Sequence, residues 1–472
     1  MPPDDSAAYK CTVTVLLMSA YTFNSMDRSI ISIIAAPLKA DLLLSDTQLG
    51  LLGGTAFAAL YALGGIPIAR LAERVSRVNI ITAALLLWSA LTALSAAAGG
   101  FITLLAIRAG VGVAEAGCSP PAHSLISDYH RPAERASALS VYSCGISLGY
   151  ILAAVVGGYV AERAGWRAAC LAVGAPGVLT ALIIKAVVRE PPRGRWDSVP
   201  SAATACTAGS AGFSLAREVR ELRAVAGALL SNPPVRHMVL GITLGGFAAY
   251  GFYAFVPPYF SRAFGLGYAT TGYIAAVTGG VTVGFGILAG GFVADRLARH
   301  RLQWYALVPA LGGLVALPLY VVAVSVTDWR VAAGALGAAG FFQYASLGPT
   351  FGVVQNAVGT HRRATATALL YICLSVIALG LGPMFAGWAI DRAADYLFSG
   401  GGGTFETVCP GGAAATSAPA ALALVCRSTL ALATRRGLLI TLVFFAWGAA
   451  HYFMAAAGFE RSGAERANVR PG

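Results

Sequence analysis

GFVADRLAR, residues 291–299, closes one apolar run, and ARLAERVSR, residues 69–77, closes another. Both read small residue, two variable positions, Ala, acid, Arg. Two further copies stand at GYVAERAG from Gly158 and at GWAIDRAA from Gly387, the latter with Ile390 in place of the Ala. Their surroundings repeat as well. Tyr142-Ser-Cys144 returns as Tyr371-Ile-Cys373 at the same offset, and RASAL from Arg135 resembles RATAT from Arg363. A single acid-Arg pair at the end of an apolar run is an ordinary interfacial feature. Four copies at matching places are an internal repeat.

The runs themselves are membrane spans. Hydrophobic residues are 57% of the chain and charged residues 11%, against about 25% in soluble proteins, and the mean hydropathy is +0.70. Twelve segments have the length and polarity a span requires: 11–36, 47–69, 78–100, 102–127, 136–161, 167–188, 236–260, 268–294, 302–325, 331–357, 364–390 and 437–458. The copies end segments 2, 5, 8 and 11. Three helices separate neighbouring copies, so neighbours lie on opposite sides of the membrane. The expected fold is all-α, with twelve transmembrane helices in two six-helix bundles and 3+3 inverted repeats inside each, the plan of secondary transporters. Residues 1–190 form the first bundle and 235–472 the second. The second carries a long outer loop at 393–434 and a cytoplasmic tail. Residues 191–234 are a cytoplasmic linker. Within it, Leu215, Val219, Leu222, Ala226 and Leu229 share one helical face. That helix lies on the membrane surface or packs on the ends of the bundle.

A net charge of +12 can suggest a nucleic-acid partner. Most Lys and Arg residues fall at the ends and loops on the side of the termini, however, which is the positive-inside bias. It places the chain in the cell inner membrane as a multi-pass protein with both termini cytoplasmic, and no nucleic acid is expected. No Cys or His pair has metal-ligand spacing, so neither a metal nor a cofactor is expected. Cys409 and Cys426 share the outer loop and pair as a disulfide if that loop faces an oxidising compartment. GISLG at 145–149 has the spacing of a hydrolase nucleophile elbow but lies inside a span, where its glycines serve helix packing; no enzyme is expected. GLGP at 380–383 marks a possible bend. His123 is a candidate for a proton path or an ordinary interfacial histidine.

The chain resembles the major facilitator superfamily along its whole length. The motif after segment 2 departs from the family pattern at Ala69, Glu73 and Ser76; the motif after segment 8 keeps Gly291, Asp295 and Arg296. A narrower resemblance is to the spinster family. It is carried by NSMDRSIISIIAAPLKADLLLSDTQLGLL from Asn24, AFAALYALGGIPIARLAER from Ala56 and RAGVGVAEAG from Arg108. That resemblance implies a facilitative or proton-linked carrier of lysophospholipids or sphingoid lipids. It also implies gating by the cytoplasmic motifs, through Glu73, Arg74, Arg77, Arg135, Asp295 and Arg296.

Four charges inside segments 1 and 4 are candidates for the site: Asp27, Arg28, Arg108 and Glu115. Each costs about 2.5–3.5 kcal/mol to insert unless it pairs or meets water. Neighbours on a helix point about 100° apart, so Asp27 and Arg28 need partners elsewhere. Arg108 and Glu115 lie two turns apart on one face. In the plan the resemblance implies, both segments line the central cavity. Arg28 or Arg108, with Asn24, would bind an anionic headgroup, and Asp27 or Glu115 would carry a proton. Phe247, Tyr250, Tyr253 and Gln343 would line the second half, so that a polar head site faces an aromatic wall. The expected partners are a lipid-like substrate, protons and the bilayer, and a monomer is expected. An exporter of drugs or small organic anions stays open, and a receptor or scaffold is the reading from another class.

Overall fold

A chain in lipid must satisfy its backbone hydrogen bonds internally, and a helix does so within one segment. The computed structural model describes residues 6–131, 134–193, 195, 215–358, 363–400, 402–415 and 418–468. Among these, helices carry nearly all of the chain and no strand occurs.

Span 1 is Ala7–Ile33, with a short helix Ala35–Leu42 beyond it. A capping box at Ser45 and Gln48 starts the helix Asp46–Gly50, which leads into span 2 at 51–74. Span 3 is Arg77–Leu94, capped by the Ser76 hydroxyl, and span 4 is Phe101–Glu115 continued by Ser119–Tyr129. Span 5 covers 135–164. Gly165, at φ 82°, turns the chain into span 6, which ends at Val187. Span 7 bends by 46° between Pro233–Ala254 and Val256–Phe264. Pro257 and Pro258 remove the N–H groups that would continue the helix. The Ser32 hydroxyl takes up the freed carbonyls, at 2.8 Å from Ala254 O and 3.2 Å from Tyr253 O. Spans 8 to 11 occupy 268–298, Trp304–Ser325, 329–356 and 363–397.

The fourfold repeat is visible in the backbone. Leu51–Thr55, Ala153–Gly157, Ala276–Val281 and Cys373–Leu381 are π-helical. They lie in spans 2, 5, 8 and 11, the four spans that end in the acid-Arg motif. GLGP falls at the junction where the span 11 π-segment ends and an α-helix resumes at Gly382.

Part of the expected outer loop at 393–434 is helical. Span 11 runs on to Leu397, and the last helix begins at Ala420 and continues with one break to Asn468. The linker helix Leu215–Ser231 is present as well. Its Val225 and Leu229 are buried in a cluster with Val235, Met238, Ala306, Val354 and Tyr452. Of the two expectations for this helix, packing against the bundle is therefore the one that describes Val225 and Leu229.

Contacts divide the chain into two compact units that do not follow chain order. One holds Met1–Ile30 with Ala59–Glu221; the other holds Ile31–Ala58 with Leu222–Gly472. Residues 31–58, which precede the expected boundary at 190, group with the second unit. In the second unit that segment meets span 11 backbone to backbone. A Cβ on Gly387 would stand 2.0 Å from Asp46 O, and one on Gly50 would stand 2.2 Å from Pro383 O.

Candidate functional site

The four intramembrane charges lie in the first unit and divide into two pairs. Arg28 Nε donates to Glu115 Oε2 at 2.7 Å, and its guanidinium sits 4.8 Å from the centroid of the Tyr61 ring. The Arg28 side chain is 30% exposed while that of Glu115 is fully buried, so the pair presents its cation to the unit's surface. Asn24 is buried beside Glu115.

Asp27 and Arg108 form the second group, turned to the interior. Both are buried, and Arg108 Nη1 donates to the Asp27 backbone carbonyl at 3.0 Å. Among the described residues the two Asp27 carboxyl oxygens make no hydrogen bond within the geometric limits, with the Thr92 hydroxyl as the near donor. The Thr92 hydroxyl, the Arg108 guanidinium and Cys170 stand near this group. Adjacent residues on one helix thus serve opposite directions, as the 100° step requires. A buried carboxylate is costly unless it is fully paired. Sequence reasoning passed over span 3. Its signal was Ser89, Thr92 and Ser95, which interrupt an apolar helix at three-residue intervals, and all three are buried.

The aromatic candidates belong to the second unit, where they separate by burial. Phe247 packs inside against Phe385 and Phe444, and the Tyr253 hydroxyl donates to Thr278 O at 3.3 Å. Tyr250 is 39% exposed and Phe342 36%. Gln343 approaches Gly245, its Nε2 2.9 Å from where a Cβ would sit. Only Tyr250, of the three named aromatics, offers an open surface.

The motif residues fare unevenly. The Glu73 and Arg135 side chains lie outside the described residues. Arg74 and Arg296 are exposed, and Asp295 accepts from the Tyr305 hydroxyl at 3.0 Å. Arg77 is buried within the first unit. It pairs with Asp128, donates from Nε to Glu190 Oε1 at 2.6 Å, and bonds Ser124 and the Pro191 carbonyl. It therefore ties spans 3 and 4 to the start of the linker. Burial would raise the Glu190 pKa, but hydrogen bonds from Arg77, the Val78 N–H and Ser76 hold it below its ordinary value.

In the second unit, Asp391 of the fourth motif copy accepts from the backbone N–H of Asp46 and Thr47, at 2.9 and 2.8 Å, and from the Thr47 hydroxyl at 2.6 Å. Beside it, Arg262 grips Asp46 with two bonds at 2.7 and 3.2 Å, and Lys39 Nζ joins Asp46 at 2.9 Å. Cys409 and Cys426 are disulfide-bonded. Among the described residues no group of three or more potential ligands could hold a metal ion.

Residues 17–383 match the family model described as Major Facilitator Superfamily. An "MFS-type efflux pump" from Mycolicibacterium smegmatis is 30% identical over 80% of this chain and 83% of its own length. A hexuronate transporter from Bacillus subtilis is 24% identical over 84% and 93%. "Protein spinster homolog 1" from Xenopus tropicalis is 26% identical over 69% and 62%. The crystal structure of a bacterial homologue of the human lysosomal transporter Spinster, inward-facing and unoccupied, superposes with a TM-score of 0.82. It is 30% identical and covers 97% of this chain and 98% of its own.

Proposed function

The chain belongs to the Major Facilitator Superfamily, and from that premise we propose that it moves an amphiphilic, lipid-like substrate across the membrane by alternating access, coupled to protons. It acts as a monomer in the cell inner membrane with both termini cytoplasmic. The observation that carries this reading is the division of the four charges. Arg28 is partly exposed over a buried Glu115 and beside Tyr61, an arrangement that can accept an anionic headgroup in exchange for Glu115. When substrate takes the guanidinium, Glu115 loses its counter-charge and takes up a proton, since loss of a nearby cation favours the neutral carboxyl. Asp27, buried beside Thr92 and Arg108, is the second proton carrier. The motif residues around Arg74 and Asp295 act as cytoplasmic gates.

Proton flux in liposomes under an imposed pH gradient tests the coupling. A lysophospholipid or sphingoid lipid should evoke flux in the parent protein and none in Asp27→Asn. Flux unchanged in that variant would remove Asp27 from the role. A second reading is export of drugs or small organic anions, favoured by the similarity to the mycobacterial efflux pump. It predicts flux with such compounds and none with the lipids.

A further inference from the structure

The exchange of residues 31–58 has a mechanical meaning. By chain these residues end span 1 and begin span 2, yet they pack as part of the second unit. A carrier that alternates access must release them whenever that end opens. What holds them is a cluster outside the charges assigned above.

Asp46 is fully buried and receives both Arg262 Nη atoms and Lys39 Nζ. Arg262 is fixed in turn by the hydroxyl of buried Thr434 at 3.1 Å. Asp391 grips the first two N–H groups of the short helix that Asp46 begins. A two-pronged Arg–carboxylate pair is strong and direction-specific, and a buried one left half-made is costly. The cluster therefore favours two states, fully joined or opened to water.

A second observation bears on the same residues. The turn Pro410–Gly412 follows Cys409 directly, and the disulfide closes a sequence separation of 17 residues around it. Gly411 and Gly412 have φ of 67° and 89°, the left-handed region that favours glycine. They lie against Lys39. A Cβ on Gly411 would stand 3.0 Å from Lys39 O and 3.3 Å from Leu43 Cα, and one on Gly412 would stand 3.3 Å from Lys39 Cε. The turn thus covers the stem of the lysine whose ammonium completes the cluster. Both cysteines are buried, so the bridge anchors the turn within the unit.

We propose that Lys39, Asp46, Arg262 and Asp391 form the gate at the end remote from the chain termini, and that the Cys409–Cys426 loop is a redox-sensitive clamp holding it shut. The proposal rests on alternating access and on no particular substrate. An external dithiol that reduces the bridge, itself oxidised to a disulfide as Cys409 and Cys426 become thiols, frees the turn, uncovers Lys39 and shifts the population toward the state in which 31–58 has come away.

The test reads accessibility, so its failure is distinct from failure of the lipid assignment. Leu49, buried on the short helix, becomes the probe as Leu49→Cys, with every cysteine other than Cys409 and Cys426 replaced by serine. An impermeant maleimide is applied to proteoliposomes from the loop side, and modification at position 49 is followed by mass spectrometry. Reduction of the folded protein should accelerate labelling about tenfold, within the range of typical coupling energies. Gly411→Ala, which keeps the bridge but crowds the turn against Lys39 O and Leu43 and strains its left-handed backbone, should do the same without reductant. Rates within about twofold of the parent in both arms overturn the proposal. Acceleration in one arm alone overturns it too, because bridge and turn are then not one device.

Discussion

Arg28 and Glu115 present the sharpest question at the scale of the residue, because their bond can serve transport or only hold two helices together. Removing the cation alone leaves a fully buried acid without its partner, which typically costs about 3–5 kcal/mol. Arg28→Met should therefore lower the melting temperature and abolish transport. The double variant Arg28→Met/Glu115→Gln removes both charges and should recover most of the lost stability while remaining inactive. A double variant that transports would make the pair structural. Sequence carried the four charges and their spacing, since ionisable residues in a span stand out against an apolar background. It did not carry the pairing. Which acid faces Arg28 depends on helix rotation and neighbour distance, and Arg108 took a backbone carbonyl, a partner no side-chain pattern announces. Lys39, Asp46 and Arg262 were missed for a related reason. They lie at span ends, where charge is commonplace, and only packing shows that Asp46 is fully buried.

At the scale of the element, the repeat was legible because each copy ends with the same charged pair at the same place on its span. The π-segments were not, because an α-turn and a π-turn bury apolar residues with similar patterns. That all four lie in the repeat spans ties local backbone geometry to the pseudo-symmetry, and π-segments recur at functional positions. The start of span 3 offers a quantitative check. Glu190 accepts from Ser76, Arg77 and the Val78 N–H, joining the linker to the N-terminus of that helix. Its pKa is lowered in the fold, so its contribution is present above the unfolded value of about 4.3 and is lost as pH falls through the lower folded value. Glu190→Gln should destabilise the protein by about 1 kcal/mol. The difference in melting temperature from the parent should stay constant between pH 5 and 8 and shrink only below about pH 4. A difference that grew on acidification in that range would mean Glu190 is not held as a carboxylate by Arg77.

For the whole molecule, the chain's halves and its packing units differ by one segment, and hydropathy has no means of seeing this. Twelve apolar runs give twelve spans, yet nothing in a run states which neighbour its end will join. Orientation, by contrast, is an expectation from the distribution of Lys and Arg, and the disulfide offers an independent test of it. The disulfide lies in the loop between spans 11 and 12, at the end opposite the C-terminus. Such a bond persists only where the surroundings are oxidising. If the charge bias sets the termini inside, the bridge faces outward. Intact cells expressing the protein should then show two additional thiols after treatment with an impermeant reductant and an impermeant alkylating reagent in turn, mapped to Cys409 and Cys426. Alkylation of Cys11, near the first residues of span 1, should require a permeant reagent. The opposite pattern, with Cys11 reached from outside and the two loop cysteines already reduced in untreated cells, would invert the molecule. The Arg74 and Asp295 motifs would then become outer elements, and the Asp46 cluster would move to the cytoplasmic face.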